Sequence, residues 1–231
     1  MCTIADTQRP IEILDELLAG RFSCRAFLPR PVSRDLIDQI LAVAQRTASG
    51  YNTQPWQVEV TSGEATQRFR NTMYAAASSG RAEVQDIPFA QEFPGVYLQR
   101  RRECGYQLYN AIGIQRDDTA ARWKQALENF NFFGAPHTAI VHYEEALGAY
   151  AVLDCGAYVN SFMLAAQAVG VATIPQAAFA MYSDVVREHF SLNENRRIVC
   201  GISFGYADGA HKANSYRTTR VAIDDAARFH D

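Results

Sequence analysis

The 231-residue chain lacks most of the signatures that would settle its chemistry from letters alone. No Gly-x-Gly-x-x-Gly follows a strand-like run, which argues against a nicotinamide-binding Rossmann unit. Gly205-Tyr206-Ala207-Asp208-Gly209 lies near Lys212 but has neither the spacing nor the Lys-Ser/Thr ending of a phosphate loop. There is no His-Glu-x-x-His. The five cysteines (Cys2, Cys24, Cys104, Cys155, Cys200) include no Cys-x-x-Cys pair, which argues against a metal centre and for a reducing, cytoplasmic setting. His137 and His142 stand five apart, on opposite faces of a β-rich run, and read as structural or solvated rather than as metal ligands. Residues 1–9 are polar, without the apolar run of a signal peptide. An excess of one charge is missing too: 22 basic against 25 acidic residues gives a net charge of −3 and no electrostatic case for nucleic acid or an anionic membrane. The longest apolar stretch, residues 149–169, is interrupted by Asp154, Asn160, Ser161 and Gln167, so it reads as a core helix rather than a membrane span.

What is present suits a globular chain of one domain: 48% hydrophobic and 20% charged residues, with no repeat and no long linker. Helical spacing covers residues 11–19, stopped by Gly20. It returns over residues 33–47, with Ser33 as N-cap and Leu36, Ile37, Ile40, Leu41 and Ala44 on one face. Further helices are expected over residues 64–77, 97–115, 118–130, 149–169 and 184–190, the last capped by Ser183. Residues 56–61, 138–143 and 198–206 read as strands, the third a continuous apolar run suited to the middle of a sheet. Residues 173–180 read as a loop, and 78–95 are broken by Gly80, Pro88 and Pro94.

The densest chemistry lies in residues 21–56. Arg21, Ser23 and Arg25 alternate, placing three phosphate-capable groups on one face of an extended segment. After one amphipathic helix comes Ser49-Gly50-Tyr51-Asn52-Thr53-Gln54-Pro55-Trp56, a loop able to hydrogen-bond a planar heterocycle. Taken singly, the first is a solvated strand and the second the start of a core strand; order and spacing together carry the inference. This stretch resembles the opening of the nitroreductase family of FMN enzymes. The resemblance continues through Asn131-Phe132-Phe133-Gly134-Ala135-Pro136, the helix of residues 154–170 and Pro175-Gln176-Ala177-Ala178, then Val186-Arg187-Glu188-His189-Phe190 and Gly201-Ile202-Ser203-Phe204-Gly205-Tyr206.

The resemblance implies an α+β fold with a mixed, mostly antiparallel central sheet, helices on both sides, and a homodimer with FMN at the interface. It implies that Arg21 and Ser23 contact the phosphate and ribityl chain and that Arg25 lies towards the N1–C2=O edge, where a cation stabilises the charge left by two-electron reduction. Ser49, Asn52 and Gln54 reach the flavin of the neighbouring subunit. Pro175, Gln176, Ala177 and Ala178 pass beside the ring with a backbone N–H towards N5, and Arg217 and Arg220 bind phosphate. The implied reaction uses NADH or NADPH as co-substrate and a small nitroaromatic or quinone-like acceptor. It follows ping-pong kinetics, takes nitro to nitroso to hydroxylamine, and needs no catalytic side chain. A same-fold flavoenzyme of other chemistry (reductive dehalogenation, flavin fragmentation) and a non-catalytic flavin-binding dimer stay open.

Residues 88–130 are expected to form an inserted lid over the flavin. They are rich in aromatics and carry Arg100, Arg101 and Arg102 in a row. Phe93, Tyr97 and Arg101 are the candidate acceptor contacts; the arginines read either as a solvated helix face or as partners of an anion, the 2′-phosphate of NADPH or an acidic acceptor.

Overall fold

The computed structural model describes residues 9–230, so Cys2 and nearly all of the polar N-terminal stretch lie outside the described residues. Four strands, β1 (Gln57–Ser62), β2 (His137–Glu144), β3 (Ala172–Gln176) and β4 (Arg196–Gly205), make one sheet in the order β1-β2-β4-β3. Every neighbour pair in it is antiparallel; the parallel pairings are isolated bridges, Ser23 with Thr173 and Val84 with Tyr182. The apolar run of β4 takes a central place. Residues 173–176, expected as part of a loop, instead belong to the edge strand β3. Five residues are too few to show an alternation, and an edge is where a sheet tolerates a proline such as Pro175.

Successive residues of β2 divide the core into two. Ala139 and Val141 join Ile202 and Phe204 under helices α2 (Arg34–Ala44) and α6 (Gly148–Ala168). Ile140, with Ile174 and Ile198, packs under α3 (Gly63–Ser78) and α7 (Ser183–Phe190). Helices therefore cover both faces. In α2, Ser33 caps as expected, its Oγ accepting from the N–H of Leu36 at 3.4 Å. Ser183 does not cap α7: it is already helical, and its Oγ donates back to the Ala180 carbonyl at 3.0 Å, leaving Tyr182 at the N-cap.

Helices α1 and α6 are among those that leave apolar surface uncovered within the single chain. Helix α1 (Pro10–Gly20) has no buried residue, and Ile11, Ile13, Leu14 and Leu18 are exposed. Helix α6 buries Cys155, Tyr158, Phe162 and Ala166 but exposes Tyr150 (82%) and Leu153 (67%). Between β1 and β2 the chain forms α3, α4 (Val96–Ile112) and α5 (Thr119–Leu127), the last capped by Asp118, which accepts from the Ala121 N–H at 2.8 Å. After α5 it turns through Phe132 and Phe133 at φ +56° and +51°, a conformation costing about 1–3 kcal/mol per non-glycine residue. Arg70 holds that turn, donating to the carbonyls of Asn131 (3.2 Å) and Ala135 (2.6 Å).

His137 and His142 are both buried. His137 Nε2 accepts from the Val32 N–H at 2.9 Å, so the ring proton sits on Nδ1, facing the Thr61 carbonyl and Ser62 Oγ. Burial lowers the pKa of both His137 and His142. Among the described residues no group of three or more His, Cys, Asp or Glu could hold a metal ion, and no helix is long and apolar enough to cross a membrane.

Candidate functional site

The site begins where α1 stops. Arg21 leaves the helix in extended geometry, its N–H still bonded to the Leu17 carbonyl. Ser23 bridges Thr173, and Phe27 bridges Ala207 beyond β4, so the 21–27 segment is sewn to the end of the sheet. Cys24 is sealed in the core, its N–H on the Thr173 carbonyl, and burial pushes its thiol up to about 11. Arg21, Ser23 and Arg25 all line one cleft of about 260 Å³, with Arg217, Arg220 and Tyr216 of the tail on the other wall.

Four guanidinium groups meet in that cleft and none of the residues lining it is acidic. Among the described residues none of the four forms an ion pair. Arg25 donates to the Ser23 carbonyl, and Arg217 to those of Asn214 and Tyr216. Arg220 donates to Thr218 Oγ1 and the Thr219 carbonyl. Arg217 also lies 3.8 Å over the Phe22 ring. Burial, and then the charge of Arg220, lower the pKa of Arg21. Like charges gathered without carboxylates are unfavourable unless an anion joins them. Four planar forks beside a serine hydroxyl match a phosphate, and the buried Tyr216 hydroxyl has no partner among the described residues.

Asn214 was not legible as part of this site. It clasps the two walls: its Oδ1 accepts from the Arg25 N–H at 2.8 Å, and its Nδ2 donates to the carbonyls of Ala26 and Asp208, each at 2.9 Å. Cys104 of α4 also lines the cleft. Nothing in a polar tail or in one cysteine of a helix signals either role.

The loop of residues 49–54 is elsewhere; none of its residues lines the arginine cleft. Tyr51, Asn52 and Gln54 have φ of +51°, +56° and +45°, and Tyr51 is fully exposed. The shape is held from within. Ser49 Oγ accepts from the Gln54 N–H at 2.9 Å, Gln54 Oε1 accepts from Gln45, and Asp154 of α6 accepts from the Gly50 N–H at 3.1 Å. Asp154 is a third residue that sequence reading missed.

Pro175, Gln176, Ala177 and Ala178 close β3 just past the Ser23–Thr173 bridge. Ala177 is exposed, whereas Gln176 is buried and its side chain turns inward. Ser203 is equally buried. Gly201-Ile202-Ser203-Phe204-Gly205 carries the letters of a nucleophile elbow, but it lies inside β4 instead of a strand-to-helix turn, and the Ser203 hydroxyl is spent on Gln176. In the expected lid, Arg101 lies 4.9 Å over Phe93 and Arg100 lies 5.8 Å over Tyr97. Arg100 also lines a groove of about 760 Å³ that adjoins the cleft and shares Cys104, Thr218 and Arg220 with it.

The sequence profile of the Nitroreductase family matches residues 18–206, and the chain belongs to that family. It is 38% identical over 216 residues to nitroreductase NfnB of Mycolicibacterium smegmatis, covering 93% of this chain and 92% of that protein. It is 35% identical to a 4-nitrobenzoate reductase of Pseudomonas putida, over 93% of this chain and 94% of that one. The crystal structure of FMN-dependent NfnB from Mycobacterium smegmatis in complex with NADPH superposes with a TM-score of 0.92, covering 96% of this chain and all of that one at 36% identity.

Proposed function

We propose that this chain is an FMN-dependent oxidoreductase that uses NADPH or NADH to reduce small nitroaromatic acceptors, taking nitro to nitroso and then hydroxylamine. The observation that carries the reading is the cleft of four arginines without a carboxylate, in a chain whose relatives are FMN-dependent nitroreductases and a 4-nitrobenzoate reductase. Arg21, Ser23, Arg217 and Arg220 hold the FMN phosphate, and Arg25 sets positive charge beside the ring. The backbone of Pro175, Gln176, Ala177 and Ala178 lines its edge. FMN, when bound, supplies the electron transfer between nicotinamide and acceptor. The side chains bind, orient and keep water out.

A homodimer completes the site. The exposed Tyr150 and Leu153 of α6 and the exposed apolar face of α1 need a cover, and a second copy supplies one. Ser49, Asn52 and Gln54 lie away from their own cleft, the last two held in costly left-handed geometry, and act on the partner's flavin. Residues 88–130 form the lid of a single FMN-binding domain, with Phe93, Tyr97 and Arg101 against the acceptor. The free thiols Cys24, Cys104, Cys155 and Cys200 fit the cytoplasm.

The visible spectrum of the purified protein tests this directly. FMN absorption that bleaches with anaerobic NADPH and returns on adding 4-nitrobenzoate is the expected result. Bleaching without return would favour a same-fold flavoenzyme of other chemistry; a flavin that NADPH and NADH leave oxidised would mark a non-catalytic binder.

A further inference from the structure

One buried side chain ties the end of α5 to the turn that follows β3. Gln176, 3% exposed, is the last residue of β3, so its own peptide leads into the Ala177–Met181 turn. Both ends of its amide are used. Nε2 donates to the backbone carbonyl of Asn129 at 2.8 Å, and Oε1 accepts from Ser203 Oγ at 2.5 Å. Asn129 stands two residues after α5, and its carbonyl also accepts from the N–H of Phe132, the first residue of the strained turn. Gln176 thus fastens three things at one point: the end of the lid helix, the central strand β4, and the turn that follows β3. That turn has a second, apolar seat. Phe179 lies so close over Gly201 that a Cβ there would come within 2.7 Å of the ring.

We propose that Gln176 is a positioning residue, which sets the Ala177 peptide against the flavin edge and couples that setting to the position of α5. The inference rests on the FMN reading above. A buried amide with both ends satisfied fixes its neighbours, and cutting it leaves the Ser203 hydroxyl unsatisfied in the core and takes from the Asn129 carbonyl one of its two donors. An apolar isostere then lets the turn and the lid helix relax separately. A mere core filler would lower stability and change nothing else; a positioning residue changes the electronic environment of the flavin as well.

The test compares wild type, Gln176→Met and Ser203→Ala, each loaded with FMN, by midpoint potential, and each flavin-free, by amide hydrogen exchange. Gln176→Met should change the ratio of oxidised to reduced flavin at fixed poise by about threefold to tenfold, about 30 mV at the upper end for a two-electron couple. It should also speed exchange over residues 127–133. Ser203→Ala keeps the bond to Asn129, so it should move the potential less and leave exchange in that segment near wild type; it also serves if Gln176→Met fails to fold. An FMN-loaded Gln176→Met at the wild-type potential, or a Ser203→Ala that leaves potential untouched where Gln176→Met does not fold, overturns the role. A wild-type chain that takes up no FMN overturns the underlying reading instead.

Discussion

The arginine cleft and the 49–54 loop differ in how a single chain pays for function. The cleft is finished within the one chain: one wall from residues 21–25, the other from the tail, joined by Asn214, with unrelieved positive charge as its only cost. The loop is finished locally but has nothing to act on. Three non-glycine residues hold positive φ, and a whole tyrosine stands in solvent. Charge concentrated without counter-charge points to a small anion. Backbone strain beside an uncovered apolar helix face points to a second macromolecular surface. The two kinds of incompleteness therefore predict different failures.

The largest effect should come from Leu153→Arg. Leu153 is mostly exposed in the single chain, so the fold should survive, but an arginine in the apolar stripe of α6 should prevent pairing. Sedimentation should shift from about twice 25.7 kDa to that mass, with loss of bound flavin. A flavin-loaded dimer would remove α6 from the interface. Next, Arg21→Ala or Arg220→Ala should weaken FMN about tenfold to a hundredfold without changing the oligomer, since one charge-assisted contact is worth about 1.5–3 kcal/mol. Fluorescence titration with FMN measures it, and full affinity in both variants would make the cleft something other than the phosphate site.

Acid should loosen the loop side before the cleft. His137 accepts from Val32, just ahead of α2, which leads to the loop, and burial holds its pKa below the ordinary 6.5. With the folded pKa depressed, the unfolded chain binds the proton first. This contribution to stability is whole above pH 6.5 and is lost as pH falls from there towards the folded value. Melting temperature should drop from pH 7.5 to 5.5, and His137→Gln, which keeps an acceptor but does not titrate, should flatten the slope. An equal slope in both proteins would put the acid sensitivity elsewhere. Smaller again, Tyr51→Gly should relieve the left-handed cost and stabilise the subunit by about 0.5–1 kcal/mol, while lowering nitroaromatic turnover. A variant more stable and equally active would mean that the strain serves no partner.

Sequence patterns gave up the helices and three of the four strands because each has a long amphipathic or apolar period. They failed at β3, where five residues around a proline have no readable alternation, and at Ser183, whose cap preference lost to a bond with Ala180. The phosphate-capable row Arg21, Ser23, Arg25 was legible because its alternation is local. Its closure by Arg217 and Arg220 rested on likeness to a family, and Asn214 was invisible because its bond to Arg25 spans 189 residues. Gln176 was expected at the flavin by likeness alone; that its side chain turns inward depends on Asn129 and Ser203, which no local pattern pairs with it.

The smallest effect concerns Arg100, Arg101 and Arg102 of α4. Arg100 shares its groove with Arg220, next to the arginine cleft, whereas Arg101 rests on Phe93 and Arg102 lines an adjoining hollow on α4. The groove also holds Glu103 and Asp225, so it is not a bare cationic trough, and an exposed ionic contact there is worth about 0.3–1 kcal/mol. NADPH differs from NADH by one phosphate, so the ratio of their KM values isolates that contact from everything else the nicotinamide does. Arg100→Ala should raise KM for NADPH about twofold to fivefold relative to NADH, the effect fading at high salt as the charges are screened. Arg101→Ala should leave that ratio alone and act on the acceptor, raising KM for 4-nitrobenzoate more than for uncharged nitrobenzene. Arg102→Ala is the control that should move neither. If all three variants keep both ratios, the arginines are a solvated helix face, the lid meets its acceptor through aromatic rings alone, and the anion chemistry of this protein ends at the cleft.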